Sequence, residues 1–237
     1  MRRHAFTIIE LLVVVAIIAV LLAILLPALG QARGRAKLVQ CQTHLRTIGH
    51  AVEFYLGDNR DIYPDAPFYG CLGYRGRSPY HALLGSQDPE SRRPMNRYFG
   101  VEDNTVGDEY QVERKHKDLF ECPSDRGDAY FKLAGKYFVE HGTSYVYASE
   151  IKEFPVPTFG VLSCRGLPRS RIKFAAKKIV FQEPVFNPSF DLSDDRARWH
   201  HPGRHHGNLL FADGHVEFLF TQIFDVQARP DENEVYY

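Results

Sequence analysis

Residues 6–29 read Phe6-Thr-Ile-Ile-Glu10-Leu-Leu-Val-Val-Val15-Ala-Ile-Ile-Ala-Val20-Leu-Leu-Ala-Ile-Leu25-Leu-Pro27-Ala-Leu29. Leu11 to Leu26 is an unbroken run of sixteen apolar side chains, and Ala28 and Leu29 extend it past Pro27. At 1.5 Å per residue such a helix is about 28 Å long, close to the roughly 30 Å hydrocarbon core of a bilayer. The run predicts a single membrane-spanning helix. Arg2, Arg3 and His4 form a short basic leader before it, and Ala28-Leu29-Gly30 has the small-residue pattern of a signal-peptidase site. A secretory signal, a plain anchor and an apolar helix that also makes protein contacts all fit that bare pattern. Glu10 separates them. Carried to the centre of a bilayer, a carboxylate costs about 2.5–3.5 kcal/mol, and a signal peptide has no use for one. An acid at this depth asks for a cation beside it.

The chain has 237 residues, enough for one ordinary domain plus an anchor but not for two full-sized domains. Its 29 Lys and Arg balance 29 Asp and Glu, and its pI is about 7.2, which excludes a surface built as a whole for nucleic acid. A hydrophobic content of 44% excludes a disordered chain, and a mean hydropathy of −0.31 excludes a polytopic membrane protein. The apolar sequence is concentrated before residue 30.

Arg2-Arg3-His4-Ala5 followed by Phe6-Thr7-Ile8-Ile9-Glu10-Leu11-Leu12-Val13-Val14-Val15-Ala16 closely resembles the signal of type IV prepilins and type II secretion pseudopilins. The resemblance implies cleavage by a prepilin peptidase between Ala5 and Phe6, where the family usually has Gly before the cut, and N-methylation of the new Phe6 amine. It makes Glu10 the fifth mature residue and places Pro27 where the family commonly has a helix-kinking proline. It also implies a bacterial inner-membrane location with a single pass, the head outward in the periplasm or exterior. Its partners would be the peptidase, membrane lipid and other pilin-like subunits. Physical chemistry agrees: the Phe6 amine of one subunit and the Glu10 carboxylate of its neighbour, at one depth, would each relieve the other's desolvation and set the register of a fibre.

Leu38, Cys41, Leu45, Ile48, Val52 and Tyr55 recur at steps of three and four, a stripe on one face of a helix whose other faces carry Arg35, Lys37, Gln40, Gln42, Arg46 and Glu53. The helix is expected to run from about Phe6 to Leu56, with Pro27, Gly30 and Gly34 as its bend or melting points. Beyond Gly57-Asp58-Asn59 the helical pattern ends. Strand-like pieces follow at Ser144-Tyr-Val-Tyr-Ala148 and Lys178-Ile-Val-Phe181. Asp213-Gly214, between Asn208–Ala212 and His215–Leu219, predicts a hairpin with a two-residue turn. That register puts Leu209, Phe211, Val216 and Phe218 on a common core face. The fold class expected is α+β and pilin-like, a long amino-terminal helix packed on an antiparallel sheet. Its parts are a cytoplasmic leader (1–5), an assembly helix (6–29), an amphipathic continuation (30–56) and a head (57–237).

The segment Arg204-His205-His206-Gly207-Asn208-Leu209-Leu210-Phe211-Ala212-Asp213-Gly214-His215-Val216 resembles the carboxyl-terminal box of a group of prepilin-like proteins, a His, nine residues, then Asp-Gly. Here seven residues separate His205 from Asp213. Leu119-Phe120-Glu121-Cys122-Pro123-Ser124-Asp125 and Cys41-Gln-Thr-His-Leu-Arg-Thr-Ile48 are similar to segments of the same group.

Four cysteines without a C-x-x-C do not suit a zinc ribbon, and an exported chain with an even number favours disulfides. Cys41 on the stripe with Cys122 at a turn, and then Cys71 with Cys164, is the expected pairing; the two other connectivities and four free thiols remain open. His200, His201, His205, His206 and His215, near Asp213, are the densest set of metal-ligand residues. By resemblance to pseudopilins with a calcium site, Asp191, Asp194 and Asp195, or Asp125 and Asp128, are candidate oxygen ligands, although neither stretch has EF-hand spacing. No catalytic motif is present: no G-x-S-x-G, H-E-x-x-H or P-loop. Arg75 with Arg77, and Arg92 with Arg93, are small basic patches better read as solvated than as a nucleic-acid surface.

The expectation is a non-enzymatic, cofactor-free pilin-like subunit of a type II secretion pseudopilus or type IV pilus. The alternative is a single-pass, membrane-anchored, exported binding protein that holds a metal through its carboxyl-terminal histidines.

Overall fold

In a computed structural model of the chain, residues 7–66, 71–73, 93–101, 117–127, 135–147, 164–184, 199–200 and 206–220 are described. Helix α1 (Ile8–Asp58) is followed by the short helices α2 (Lys117–Phe120) and α3 (Tyr137–His141). Four strands, β1 (Val146–Tyr147), β2 (Ile179–Gln182), β3 (His206–Phe211) and β4 (Val216–Phe220), form one antiparallel sheet in that order. This is the α+β, pilin-like arrangement expected from the sequence. By contacts the chain divides into two units, Met1–Val39 and Gln40–Tyr237.

The described part of the first unit is helical from Ile8 on. Thr7 and Glu10 close its amino-terminal end: the Thr7 amide and hydroxyl each donate to Glu10 Oε2 at 2.8 Å, and the Glu10 amide donates to Thr7 Oγ1 at 3.2 Å. This is a capping box, which satisfies amide groups that the first helical turn otherwise leaves unpaired. The apolar side chains that follow are exposed all round, from Ile8 to Leu29. The helix is long and apolar enough to cross a membrane. It also continues through Pro27, Gly30 and Gly34, so of the bend or melting expected there the melting does not occur. A proline removes one amide donor, and the turns on either side retain theirs.

In the second unit the helix becomes one-sided. Cys41, His44, Leu45, Ile48, Gly49, Ala51, Val52 and Leu56 are buried; Cys41, Leu45, Ile48 and Val52 of the expected stripe are among them, Leu38 and Tyr55 are half-buried, and the buried face is wider than expected. At Gly49 the sheet comes close: a Cβ there would lie 3.0 Å from Leu210 Cδ1 on β3. The helix ends at Asp58, and the chain reverses through Arg60 and Asp61, both at φ 58°. Ion pairs Glu53–Arg169 (2.7 Å) and Asp58–Arg97 (3.2 Å) hold its last turns to the loops.

The hairpin differs from expectation by one residue. Leu210 pairs with Val216, Leu209 with Glu217 and Asn208 with Phe218, so the loop holds three residues, Ala212, Asp213 and Gly214. Gly214 takes φ 89°, while Asp213 is not among the positive-φ residues. A turn ending in a left-handed glycine is the usual three-residue alternative to the two-residue form. The Asp213 carboxylate accepts the His215 amide at 3.1 Å, an Asx-turn that favours this conformation. The expected face assignment is therefore wrong. Leu209 and Phe211 share their face with His215 and Glu217, and the Phe211 and His215 rings stack at 4.2 Å. Asn208 and Leu210 share theirs with Val216 and Phe218 on the side that meets α1. Strand β3 is buried on both faces.

Candidate functional site

Where β2 ends, Glu183 continues the ladder opposite Asn208, whose carbonyl accepts the Glu183 amide at 3.1 Å. The strand period then turns the Glu183 side chain to the α1 face of the sheet, with Phe181 and Leu210. From α1, Cys41 and His44 reach the same region, since residues three apart share a helix face. The His44 Nδ1 lies 2.9 Å from the hydroxyl of Tyr145, just before β1. Burial pushes the His44 imidazole below its usual pKa, against the pull of the Asp118 and Glu183 carboxylates.

Cys41 is disulfide-bonded to Cys122, with Cα atoms 5.4 Å apart, as expected. His200 Nε2 lies 2.9 Å from Glu183 Oε1 and 3.6 Å from Cys122 Sγ. The other carboxylate oxygen of Glu183 accepts the Asn208 amide at 2.8 Å, and the Asn208 side-chain amide lies 3.2 Å from both oxygens. One ligand atom each from Cys41, Cys122, Glu183 and His200 lies within 4.8 Å of every other. The His200 side chain is 1% exposed and that of Glu183 0%.

Of the described members of the expected histidine set, one enters this cluster. His200 does. His206 stacks on Phe218, with centroids 5.5 Å apart, and His215 sits in the turn against Asp213. His201 and His205 lie outside the described residues. Among the described residues, His200 thus joins a mixed set of ligand-type side chains with Cys41, Cys122 and Glu183. Glu183 carried no signal in the sequence, because its place depends on strand pairing with Asn208.

Cys71 and Cys164 are buried free thiols, not the second disulfide that the sequence suggested. The Cys164 thiol donates to the Ile179 carbonyl at 3.4 Å, and burial raises the pKa of both groups, that of Cys164 to about 11. A thiol so placed is inert. Asp125, offered as a calcium ligand, accepts four hydrogen bonds instead. They come from the amides of Gly127 (2.9 Å), Tyr137 (2.8 Å) and Phe138 (2.7 Å) and from the Ser144 hydroxyl (2.8 Å). Its oxygens face donors, where a cation would meet hydrogens. Asp128, Asp191, Asp194 and Asp195 lie outside the described residues, as do Arg75, Arg77, Arg92, Ala5 and Phe6. Arg93 is buried and donates to the Leu72 carbonyl at 3.1 Å, so that half of its basic patch serves the fold.

Residues 1–26 match the family described as Prokaryotic N-terminal methylation motif. The match supports a type IV pilin-like precursor, a structural subunit by type. It implies processing by a prepilin peptidase and assembly with other pilins. Together with the apolar helix, it fits a membrane-anchored pilin. No curated protein and no solved structure matches the chain.

Proposed function

We propose that the chain is a pseudopilin or minor pilin. It waits in the bacterial inner membrane, is cleaved between Ala5 and Phe6 and N-methylated at Phe6, then packs helix to helix into a type II secretion pseudopilus or a type IV pilus-like fibre. Its head faces the periplasm or exterior. The observation that carries this reading is the motif match over residues 1–26, with Glu10 standing near the start of the apolar, uncovered stretch of α1 from Ile8 to Leu29. In the single chain both Thr7 bonds fall on Glu10 Oε2. The other oxygen, Oε1, is the one that would accept the Phe6 amine of a neighbouring subunit. That amine is a cation made only by cleavage, so pairing couples processing to assembly. It also offsets two desolvation costs at once.

Glu10→Ala tests the pairing in a co-assembly assay with wild-type subunits. The variant should insert in the membrane as before and be absent from sheared or purified fibres. Wild-type levels of Glu10→Ala in the fibre would remove Glu10 from the mechanism.

A further inference from the structure

The cluster at Cys41, Cys122, Glu183 and His200 holds more chemistry than a structural disulfide requires. A disulfide is uncharged and is served well by apolar neighbours, yet this one meets a buried carboxylate and a buried imidazole. Among the described residues no Lys or Arg pairs with Glu183, and the side chain at ion-pair distance from it is the His200 imidazole, at 2.9 Å. A buried carboxylate needs compensating charge. Two sulfurs, one imidazole nitrogen and one carboxylate oxygen from four separate parts of the chain converge within 4.8 Å.

We propose that, when the Cys41–Cys122 bond is open, these four side chains hold one thiophilic divalent cation of the zinc class. The donor set suits it: zinc accepts thiolate, imidazole and carboxylate ligands in tetrahedral sites, and soft thiolates select for it over calcium or magnesium. Two thiolates at about 2.3 Å from a tetrahedral ion stand about 3.8 Å apart. Side-chain rotation on Cα atoms 5.4 Å apart meets that spacing. His200 presents Nε2 to the cluster. Asn208 supports Glu183 through its main-chain and side-chain amides, the kind of outer partner that orients a ligating carboxylate.

The steps balance. A dithiol reductant exchanges with the disulfide, becoming oxidised itself and leaving two protein thiols. The ion then displaces both thiol protons to solvent and binds two thiolates. Disulfide and ion therefore exclude one another at the same sulfurs.

The test uses the full chain in detergent micelles, reduced with a phosphine, which becomes phosphine oxide and does not compete for the metal as a dithiol does. Cobalt(II) serves as a visible probe and zinc as competitor. The reduced protein should take up one ion per chain, with thiolate-to-cobalt charge-transfer and tetrahedral ligand-field bands that zinc abolishes; the oxidised protein should show neither. His200→Ala should weaken binding at least about tenfold, as changes around metal sites commonly do. His200→Cys, which restores a ligand, should recover it. A Cys71→Ser, Cys164→Ser double variant should bind as the wild type does. The proposal is overturned if the reduced chain shows no thiolate-to-cobalt band, if His200→Ala leaves affinity unchanged while circular dichroism shows the fold intact, or if the double variant loses the site.

Discussion

Four donors converge on the carboxylate of Asp125, and two of them are the first amides of α3. A short helix of five residues has few hydrogen bonds of its own, so a remote acid that satisfies its amino-terminal amides fixes where it starts. Burial raises the pKa of Asp125, while the donors favour its charged form. Asp125→Ala strands three amides and one hydroxyl in a buried place. It should cost about 3 kcal/mol or more, read as a lower midpoint in denaturant titration. His44 gives the pH dependence. Burial lowers its pKa in the fold, so the unfolded chain takes up the proton first as pH falls through about 6.5. The contribution of neutral His44 is complete above that value and is lost as pH falls through the lower folded pKa. Melting temperatures should fall as pH drops below about 6.5 toward the lower folded pKa, and His44→Gln should flatten that slope; an equal slope in the variant would assign the effect elsewhere. The Tyr145 hydroxyl is the partner at hand, and Asp118 and Glu183 moderate the shift.

The elements repeat a pattern of local legibility and long-range surprise. The apolar run and the stripe on α1 are periodic features of contiguous sequence, so both were readable, as was the sheet's place in the second half. The capping box at Thr7 and Glu10 is also written in the sequence, as Thr-x-x-Glu, a local partner for Glu10 beside the one expected from another subunit. Asp-Gly marked the hairpin correctly and its register wrongly. The dipeptide serves both loop lengths, and the Asx-turn from Asp213 to His215 chooses between them. Gly73 shows what a loop glycine contributes where backbones meet. It takes φ 92°, a Cβ there would lie 2.5 Å from the Gly142 carbonyl oxygen, and Asn96 clasps its amide and carbonyl at 2.9 Å each. Gly73→Ala should therefore cost about 1–3 kcal/mol and lower the melting temperature. An unchanged melt would mean that this loop closure adds nothing to the head's stability.

At the scale of the whole molecule, two kinds of information lie in different places. The support for a pilin-like role lies in the first 26 residues, where the motif match falls and where a helix exposes its apolar side chains all round. How the head holds together is written in contacts between distant residues. Cys41 and Cys122 stand 81 positions apart, and closing that loop removes about 4.5 kcal/mol of unfolded-state entropy in the chain-entropy model. His200 was flagged by residue type, but its partners were not, since Cys122 lies 78 positions away and Glu183 is placed by a strand pairing that no local pattern reveals. The two buried thiols misled the pairing rule for the same reason, because parity says nothing about where a sulfur points.

We propose this apolar helix as an assembly element released by cleavage at Ala5/Phe6. Mass spectrometry of the amino-terminal peptide of the membrane-extracted protein, expressed with a prepilin peptidase, tests it most directly. The peptide should begin at Phe6 and carry one N-methyl group; an intact Met1 or a start near Gln31 would contradict the account.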